Sequence, residues 1–497
     1  MHIGEMEADH EVIFGDRAHP CMQNTQTSAR RADSRVMTSR ISKTYAWIFP
    51  ILFALNPLHA QTPEVERLRA QVAEFEAQNA RMQQDIIQMK TRLDALVRPQ
   101  AAPAQTTPAA APTKPQLTAA APAPKDAGES LGTMLGSHFK LYGLLRVDMD
   151  IDSNRPNSDQ TPLFIPAADT AVMPKFSDYS IHPRLSRFGL DLTAPPLESL
   201  GGAKLTGKIE TDFENGGSES RQIIRIRHAY LKTSWNDFSI LGGQTWDVFS
   251  PLSPTVNNDT LMWNAGNVGD RRPQIRASYE PKAAGVAWSL IGAVGLTGAI
   301  DSMDLDNNGF RDGEQSGAPN LQARAGLGKP LWVKSQPFSV GVSEFFSQSS
   351  TAKLIAGRNQ FNAQGMNIDY TLPLLARASL RGEAWWGSNL SDVRGGIGQG
   401  FNSTLGRLIH ARGGWSELSL KATRRWSVHP GFTVDDPLAL DLSKGNRSRN
   451  FAYYIANRVT FDNVLQLGVD YLRWRTDYVG SNSALDNRVN LFVQYGF

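Results

Sequence analysis

Cysteine is almost missing from this chain of 497 residues, which holds only Cys21. That excludes a disulfide framework and a thiolate metal site, each of which needs paired thiols. No apolar run approaches the roughly 20 residues that a membrane-spanning helix requires. A dominant sign of charge is missing too: 51 Lys+Arg stand against 48 Asp+Glu, a formal net charge of +3. So even a balance carries no electrostatic footprint for nucleic acid. None of these absences argues against a β-barrel, whose strands alternate apolar with polar residues and average to a polar composition.

Alternation is what the chain does have. Val489, Leu491, Val493, Tyr495 and Phe497 take every second position, with Asn490, Phe492, Gln494 and Gly496 between them. A period of two puts the sets on opposite faces of a strand. Phe139, Leu141, Leu145, Val147, Met149 and Ile151 alternate in the same way with Lys140, Tyr142, Arg146, Asp148 and Asp150. Leu205, Ile209 and Phe213 do so with Lys204, Lys208, Glu210 and Asp212, and Ile224, Ile226 and Tyr230 with Arg225 and Arg227. Ala378, Leu380, Ala384 and Trp386 alternate with Arg377, Ser379, Arg381 and Glu383. About sixteen such segments of roughly ten residues follow residue 138, with almost no helical periodicity between them. Short turns such as 194–196 and 281–284 alternate with long polar loops at 153–183, 251–270, 301–319, 352–360 and 388–404. The expected fold is all-β, a sixteen-stranded antiparallel transmembrane barrel over 138–497, closed by its last strand against Phe139–Ile151.

The residues before the barrel read as three further segments and an extension. Met37, Arg40 and Lys43 precede an apolar run from Tyr45 to Leu55 and then Asn56-Pro57-Leu58-His59-Ala60. That predicts a secretory signal peptide over 37–60, with residues 1–36 an upstream extension absent from the working protein. Cys21 would be lost with it. Over 61–98, Val65, Leu68, Val72, Phe75, Asn79, Met82, Ile86, Met89, Leu93 and Leu96 are spaced three, four, three, four. This is an a/d seam of about four and a half heptads, and it predicts an α-helical coiled coil that self-associates. Glu64 with Arg69, and Asp85 with Lys90, can pair charges between helices. The heptads leave dimer and trimer open. Residues 99–137 are rich in Ala, Pro, Thr and Gln and predict an extended tether.

Several motifs carry a resemblance together. Lys204-Leu-Thr-Gly-Lys-Ile-Glu-Thr-Asp-Phe213, Arg225-Ile-Arg-His-Ala-Tyr230, Gly243-Gln-Thr-Trp246 and Arg272-Pro-Gln-Ile-Arg276 resemble the DcaP-like trimeric porins. So do Arg381-Gly-Glu383, Gly395-Gly-Ile-Gly-Gln-Gly400, Asp435-Asp-Pro437 and the closing Asn487–Phe497. The resemblance implies a homotrimer of sixteen-stranded barrels in the outer membrane of a Gram-negative bacterium. It also implies a periplasmic coiled coil and passive uptake of small anionic solutes such as dicarboxylates. By resemblance to other barrels, Phe497 is the tail that outer-membrane assembly machinery recognises. The resemblance implies no enzyme activity and no cofactor.

A pore selects by the fixed charges of its lumen. Arg225, Arg227, Arg272, Arg276, Arg377 and Arg381 fall at inward positions, where guanidinium groups can grip carboxylates bidentately. The loop over 251–270 holds Trp263 and is expected to fold into the lumen, with Asp247, Asp259 and Asp270 opposing the arginines. Alternatively these arginines pair with Glu210, Asp212, Glu280 and Glu383 and brace the wall. Competing readings are a phosphate-selective porin, for which inward lysines are few, and a structural anchor with a closed barrel. Asp304-Leu-Asp306-Asn-Asn308-Gly309, with Asp312 and Glu314, resembles a calcium loop. An EF-hand would place Glu at 315, where this chain has Gln, and a simply polar loop is the plainer expectation. His228 has no serine or acidic partner at a catalytic spacing, and the glycines at 395–400 lie in no strand–helix context.

Overall fold

The structure is a computed structural model, and it describes residues 130–134, 136–167, 177–218, 220–334 and 336–497. The predicted extension, signal peptide and coiled coil, and the tether up to residue 129, lie outside the described residues. The chain divides into two units, 1–112 and 113–497, and the second holds every described residue.

Among the described residues, sixteen staves form one antiparallel sheet that closes on itself. They are β1 (Ser137–Asp152), β2 (Asp178–His182 and Arg187–Thr193), β3 (Lys204–Asp212), β4 (Arg225–Trp235) and β5 (Phe238–Trp246). Next come β6 (Arg271–Tyr279), β7 (Val286–Gly295), β8 (Asn320–Lys329), β9 (Phe338–Ile355), β10 (Arg358–Leu375) and β11 (Ala378–Ser388). The last five are β12 (His410–Lys421), β13 (Trp426–Pro437), β14 (Arg447–Phe461), β15 (Leu465–Tyr478) and β16 (Ser481–Gly496). Each pairs with its neighbour in sequence, and β16 returns to β1 in the register Val493↔Val147, Val489↔Ile151. Gly143 and Phe497 then exchange two backbone hydrogen bonds, of 3.0 and 3.1 Å, which seals the seam. A closed sheet has no unpaired edge, which is the condition for strands to stand in lipid.

The two faces sort as the alternation demands. Leu145, Ile209, Ile226, Leu231, Ile275 and Leu290 are exposed on the outside, while Asp148, Asp150, Asp212, Asp470 and Asn490 are buried on the inside. An apolar exterior around a polar interior is the arrangement of a transmembrane barrel.

Four local expectations need correction. The end of the tether pairs: Ser130–Met134 lies antiparallel to the start of β1, with Met134 opposite Ser137. The segment 352–360 is the tip of a tall hairpin, since β9 runs to Ile355 and β10 restarts at Arg358. The loop after β1 ends sooner than 183, because Asp178–His182 already pairs with Asp152–Asp148. That stave breaks at Pro183, which has no amide for the ladder, and the Ser186 hydroxyl takes the Arg146 amide at 2.9 Å instead. Finally, β4 carries a bulge: Glu210 faces His228 and Thr211 faces Ile226, leaving Arg227 as the extra residue. A bulge shifts the alternation by one position. Tyr230 therefore points inward with Lys208, opposite to the outward place that strict alternation gave it.

Candidate functional site: the lumen and its constriction loop

Residues 247–270 join β5 to β6 and do not leave the barrel mouth. The Asp247 amide donates to the Asp270 carbonyl at 2.7 Å, closing the base of the loop. From there the chain meets the wall stave by stave. The Phe249 carbonyl accepts Asn367 of β10 at 3.0 Å, and the Leu252 amide donates to Glu383 of β11 at 2.8 Å. The Thr255 amide donates to Glu417 of β12 at 2.7 Å, and the Thr255 carbonyl accepts Arg458 of β14 at 2.6 Å. The Asn257 amide donates to Asp470 of β15 at 2.7 Å, and its side-chain amide donates to Asp148 of β1 and Asn490 of β16, both at 2.9 Å. The loop thus lies inside the lumen, as its length and Trp263 led us to expect.

Two apolar contacts and one glycine hold it there. Val256, Met262 and Ala265 pack on Tyr454, Leu472 and Trp474 of the wall. Phe249 and Val268 pack on Phe345, Trp385 and Leu390. Gly266 has φ +121° and passes so close to the sheet that a Cβ would stand 2.5 Å from the Gly414 oxygen and 2.6 Å from the Val434 nitrogen. Only glycine fits that approach.

The six predicted arginines do not act alike. Arg225 grips Asp212 bidentately at 2.8 and 2.7 Å, and Arg227 bridges Glu210 at 2.7 Å and Asp212 at 2.6 Å. Of the two roles set out for this pair, the wall-bracing contact with Glu210 and Asp212 is therefore formed. Arg272 is fully buried between Asp247 and Asp392, the latter at 2.8 Å, so it braces the loop bases and is closed to solute. Arg377 sits exposed in the turn between β10 and β11, outside the lumen wall, with its carbonyl accepting the Lys421 amide. Arg381 reaches Glu417 at 3.2 Å and the loop at Ser253 and Thr255, both at 2.9 Å. Arg276 bonds to Gln274 and the Trp246 carbonyl and forms no ion pair among the described residues.

The acids also serve unexpected ends. Glu383 and Glu417 accept loop amides, so wall carboxylates anchor the constriction. Asp259 meets Arg488 at 3.0 Å and Arg184 at 3.2 Å, and Asp247 meets Arg272. Burial pushes the Asp270 carboxyl up, but Arg394 at 2.9 Å and Arg271 at 3.5 Å outweigh it and hold the group below the ordinary carboxylate range. None of the three faces the six predicted arginines as an unpaired row.

Charge is nonetheless separated around the wall. Among the described residues, one sector gathers Arg187, Arg225, Arg227, Arg271 and Arg394 around Glu210, Asp212 and Asp270, with Arg276 further along β6 between Asp247 and Glu280. Its guanidinium groups outnumber its carboxylates five to three. The Arg187 Nε lies 3.5 Å from Glu210, the Arg271 Nε is buried without a hydrogen-bond acceptor, and Arg271 lies 3.7 Å over the Trp246 ring. The sector of β15, β16 and β1 is the reverse. Asp148, Asp150, Asp152, Asp470 and Asp486, with Asp259 of the loop, outnumber Arg146, Arg184, Arg458 and Arg488. Arg187, Arg271 and Arg394 escaped the sequence reading. Arg271 and Arg272 are adjacent, so alternation turns only one inward, yet both are buried where β6 leaves the loop.

No family model matches the chain, and no curated protein matches it by sequence. Solved structures do match in fold. The crystal structure of the outer membrane channel DcaP of Acinetobacter baumannii superposes with a TM-score of 0.59 at 18% identity, covering 74% of this chain and 99% of that one. An anion-selective porin from Comamonas acidovorans gives 0.47 at 13% identity, over 73% and 100%. OmpT of Vibrio cholerae gives 0.45 at 13% identity, over 74% and 100%. The barrel of this chain has the sixteen-stranded fold of the outer-membrane channels, with DcaP as a structural neighbour.

Proposed function

We propose that this chain is a DcaP-like porin of a Gram-negative outer membrane, passing small organic anions such as dicarboxylates by diffusion. The observation that carries the reading is the basic sector beside the constriction loop, five guanidinium groups around three carboxylates. An anion moving through a narrow, low-dielectric lumen is favoured wherever fixed positive charge exceeds negative. Arg187 and Arg276 are each only half-buried, so part of each guanidinium stays open to the lumen. Carboxylates suit such planar donors better than they suit lysine.

A homotrimer accords with the exterior. Glu344 is exposed on the outer face of β9, between Val342 and Phe346. A carboxylate against lipid is costly, and a neighbouring barrel would cover it. The heptads over 61–98 would hold the copies together in the periplasm.

The test is a planar bilayer under a salt gradient. A reversal potential toward the anion equilibrium supports the reading, and addition of a dicarboxylate should reduce the chloride current. Cation selectivity overturns the lumen assignment. A barrel that never conducts would support the anchor reading instead.

A further inference from the structure

The loop between β7 and β8 gathers acidic groups for which the pore has no use. Asp304, Asp306 and Asp312 each place a carboxylate oxygen within 4.8 Å of the other two. Backbone amides account for part of their oxygens. Asp304 accepts the amides of Asn308 at 3.0 Å and Gly309 at 2.9 Å. Asp306 uses Oδ2 for the amides of Ala352 at 2.8 Å and Lys353 at 3.0 Å, and Asp312 uses Oδ2 for Leu305 at 3.0 Å. The remaining oxygens are the informative ones. Asp306 and Asp312 are 6% and 0% exposed, and the Oδ1 atom of each is buried with no hydrogen-bond partner.

Positive charge does not answer them from within the chain. Among the described residues none of the three carboxylates forms a salt bridge. Arg311 is taken by Glu314, and the Lys353 ammonium lies 3.5 Å from the Asp306 carbonyl, on the backbone side of that residue. Like charges brought together and shielded from water repel unless a counter-charge joins them. Asn308, the fourth residue expected in a calcium loop, is turned away, its side-chain oxygen accepting Phe310 at 2.9 Å and Gln315 at 2.9 Å.

We propose that Asp304, Asp306 and Asp312 bind a calcium ion on the long-loop end of the barrel. Carboxylate oxygens are hard donors, and calcium accepts irregular oxygen shells where magnesium demands a near-ideal octahedron and keeps its water. The site has a mechanical consequence. Asp306 already holds the amides at the tip of β9, and Asp392 of the loop at 389–409 accepts Gly298 and Ile300, both at 3.0 Å. An ion there would fasten three outer segments into one rim, whatever solute the lumen selects.

The purified full chain, stripped with a chelator and then titrated calorimetrically with calcium chloride, tests this. One site per chain is expected, with a Kd of about 10⁻⁵–10⁻³ M and weaker binding of magnesium. Phe310 is 70% exposed, so chymotrypsin should cut after it. Calcium at ten times its Kd should slow that cut about tenfold relative to cuts elsewhere. Asp304→Asn with Asp312→Asn should abolish both effects while the barrel keeps its heat-modifiable mobility. If that variant does not fold, the unaltered chain still decides. No calcium heat up to about 10 mM overturns the site, as do equal magnesium affinity and binding that survives in the folded variant.

Discussion

The Thr255 amide donates to Glu417 Oε2 at 2.7 Å, and the Thr255 hydroxyl donates to Oε1 of the same carboxylate at 2.6 Å. One wall glutamate thereby fixes the middle of the constriction loop. Glu417 also accepts Arg381 at 3.2 Å and the Tyr454 hydroxyl at 3.0 Å. Glu417→Ala leaves Arg381 without its ion pair and frees the loop. A loss of about 3–5 kcal/mol in barrel stability is expected for breaking a buried charge network from one side. Single-channel traces should show larger, noisier conductance. A quiet trace at the original level would mean that Glu417 does not hold the constriction.

Gly266 tests the same loop through its backbone. Its φ of +121° and the contacts its missing Cβ avoids leave no room for alanine. The obstacles are backbone atoms of β12 and β13, which cannot swing aside. Gly266→Ala should lift this arm of the loop and raise conductance, while denaturation of the sheet shifts little. Conductance equal to that of the parent would place the narrowest point elsewhere along the lumen.

Two neighbouring arginines on β6 should behave oppositely. Arg272 is fully buried and paired with Asp247 and Asp392, so Arg272→Ala strands two buried carboxylates. We expect a stability loss of about 3–5 kcal/mol, read as earlier unfolding in urea. Arg276 is half-buried and has no carboxylate to strand. Arg276→Gln should leave unfolding nearly unchanged and lower the anion-to-cation permeability ratio severalfold. If Arg276→Gln keeps the parent's ratio, that guanidinium is part of the wall and takes no part in selection.

The range of each signal decides how much of the molecule the sequence disclosed. The strand from Phe139 to Ile151 was legible because alternation is local, and each of its side chains faces the side its parity assigns. The loop's inward fold was legible from its length and Trp263. Pairing was not, because Arg227 meets Asp212 only once the register of β3 on β4 is set, and a bulge sets it. The anchoring role of Glu383 and Glu417 was hidden for the same reason. A carboxylate that accepts loop amides from 131 and 162 positions away has no mark in its own neighbourhood. Arg271 was hidden because it and Arg272 are consecutive and both turn inward.

That bulge can be tested chemically. Cys21→Ser gives a chain without cysteine, into which single thiols can be placed. With Arg227 as the extra residue, Ile226 points to lipid and Tyr230 to the lumen, although both hold even positions on one strand. Tyr230→Cys should react with a charged, membrane-impermeant thiol reagent, and the current should fall as the adduct fills the lumen. Ile226→Cys should ignore that reagent and react only with a lipid-soluble maleimide. Reaction of neither position with the impermeant reagent would mean that the alternation runs unbroken through β4 and would return Tyr230 to the outer face, whereas reaction of both would turn Ile226 into the lumen as well.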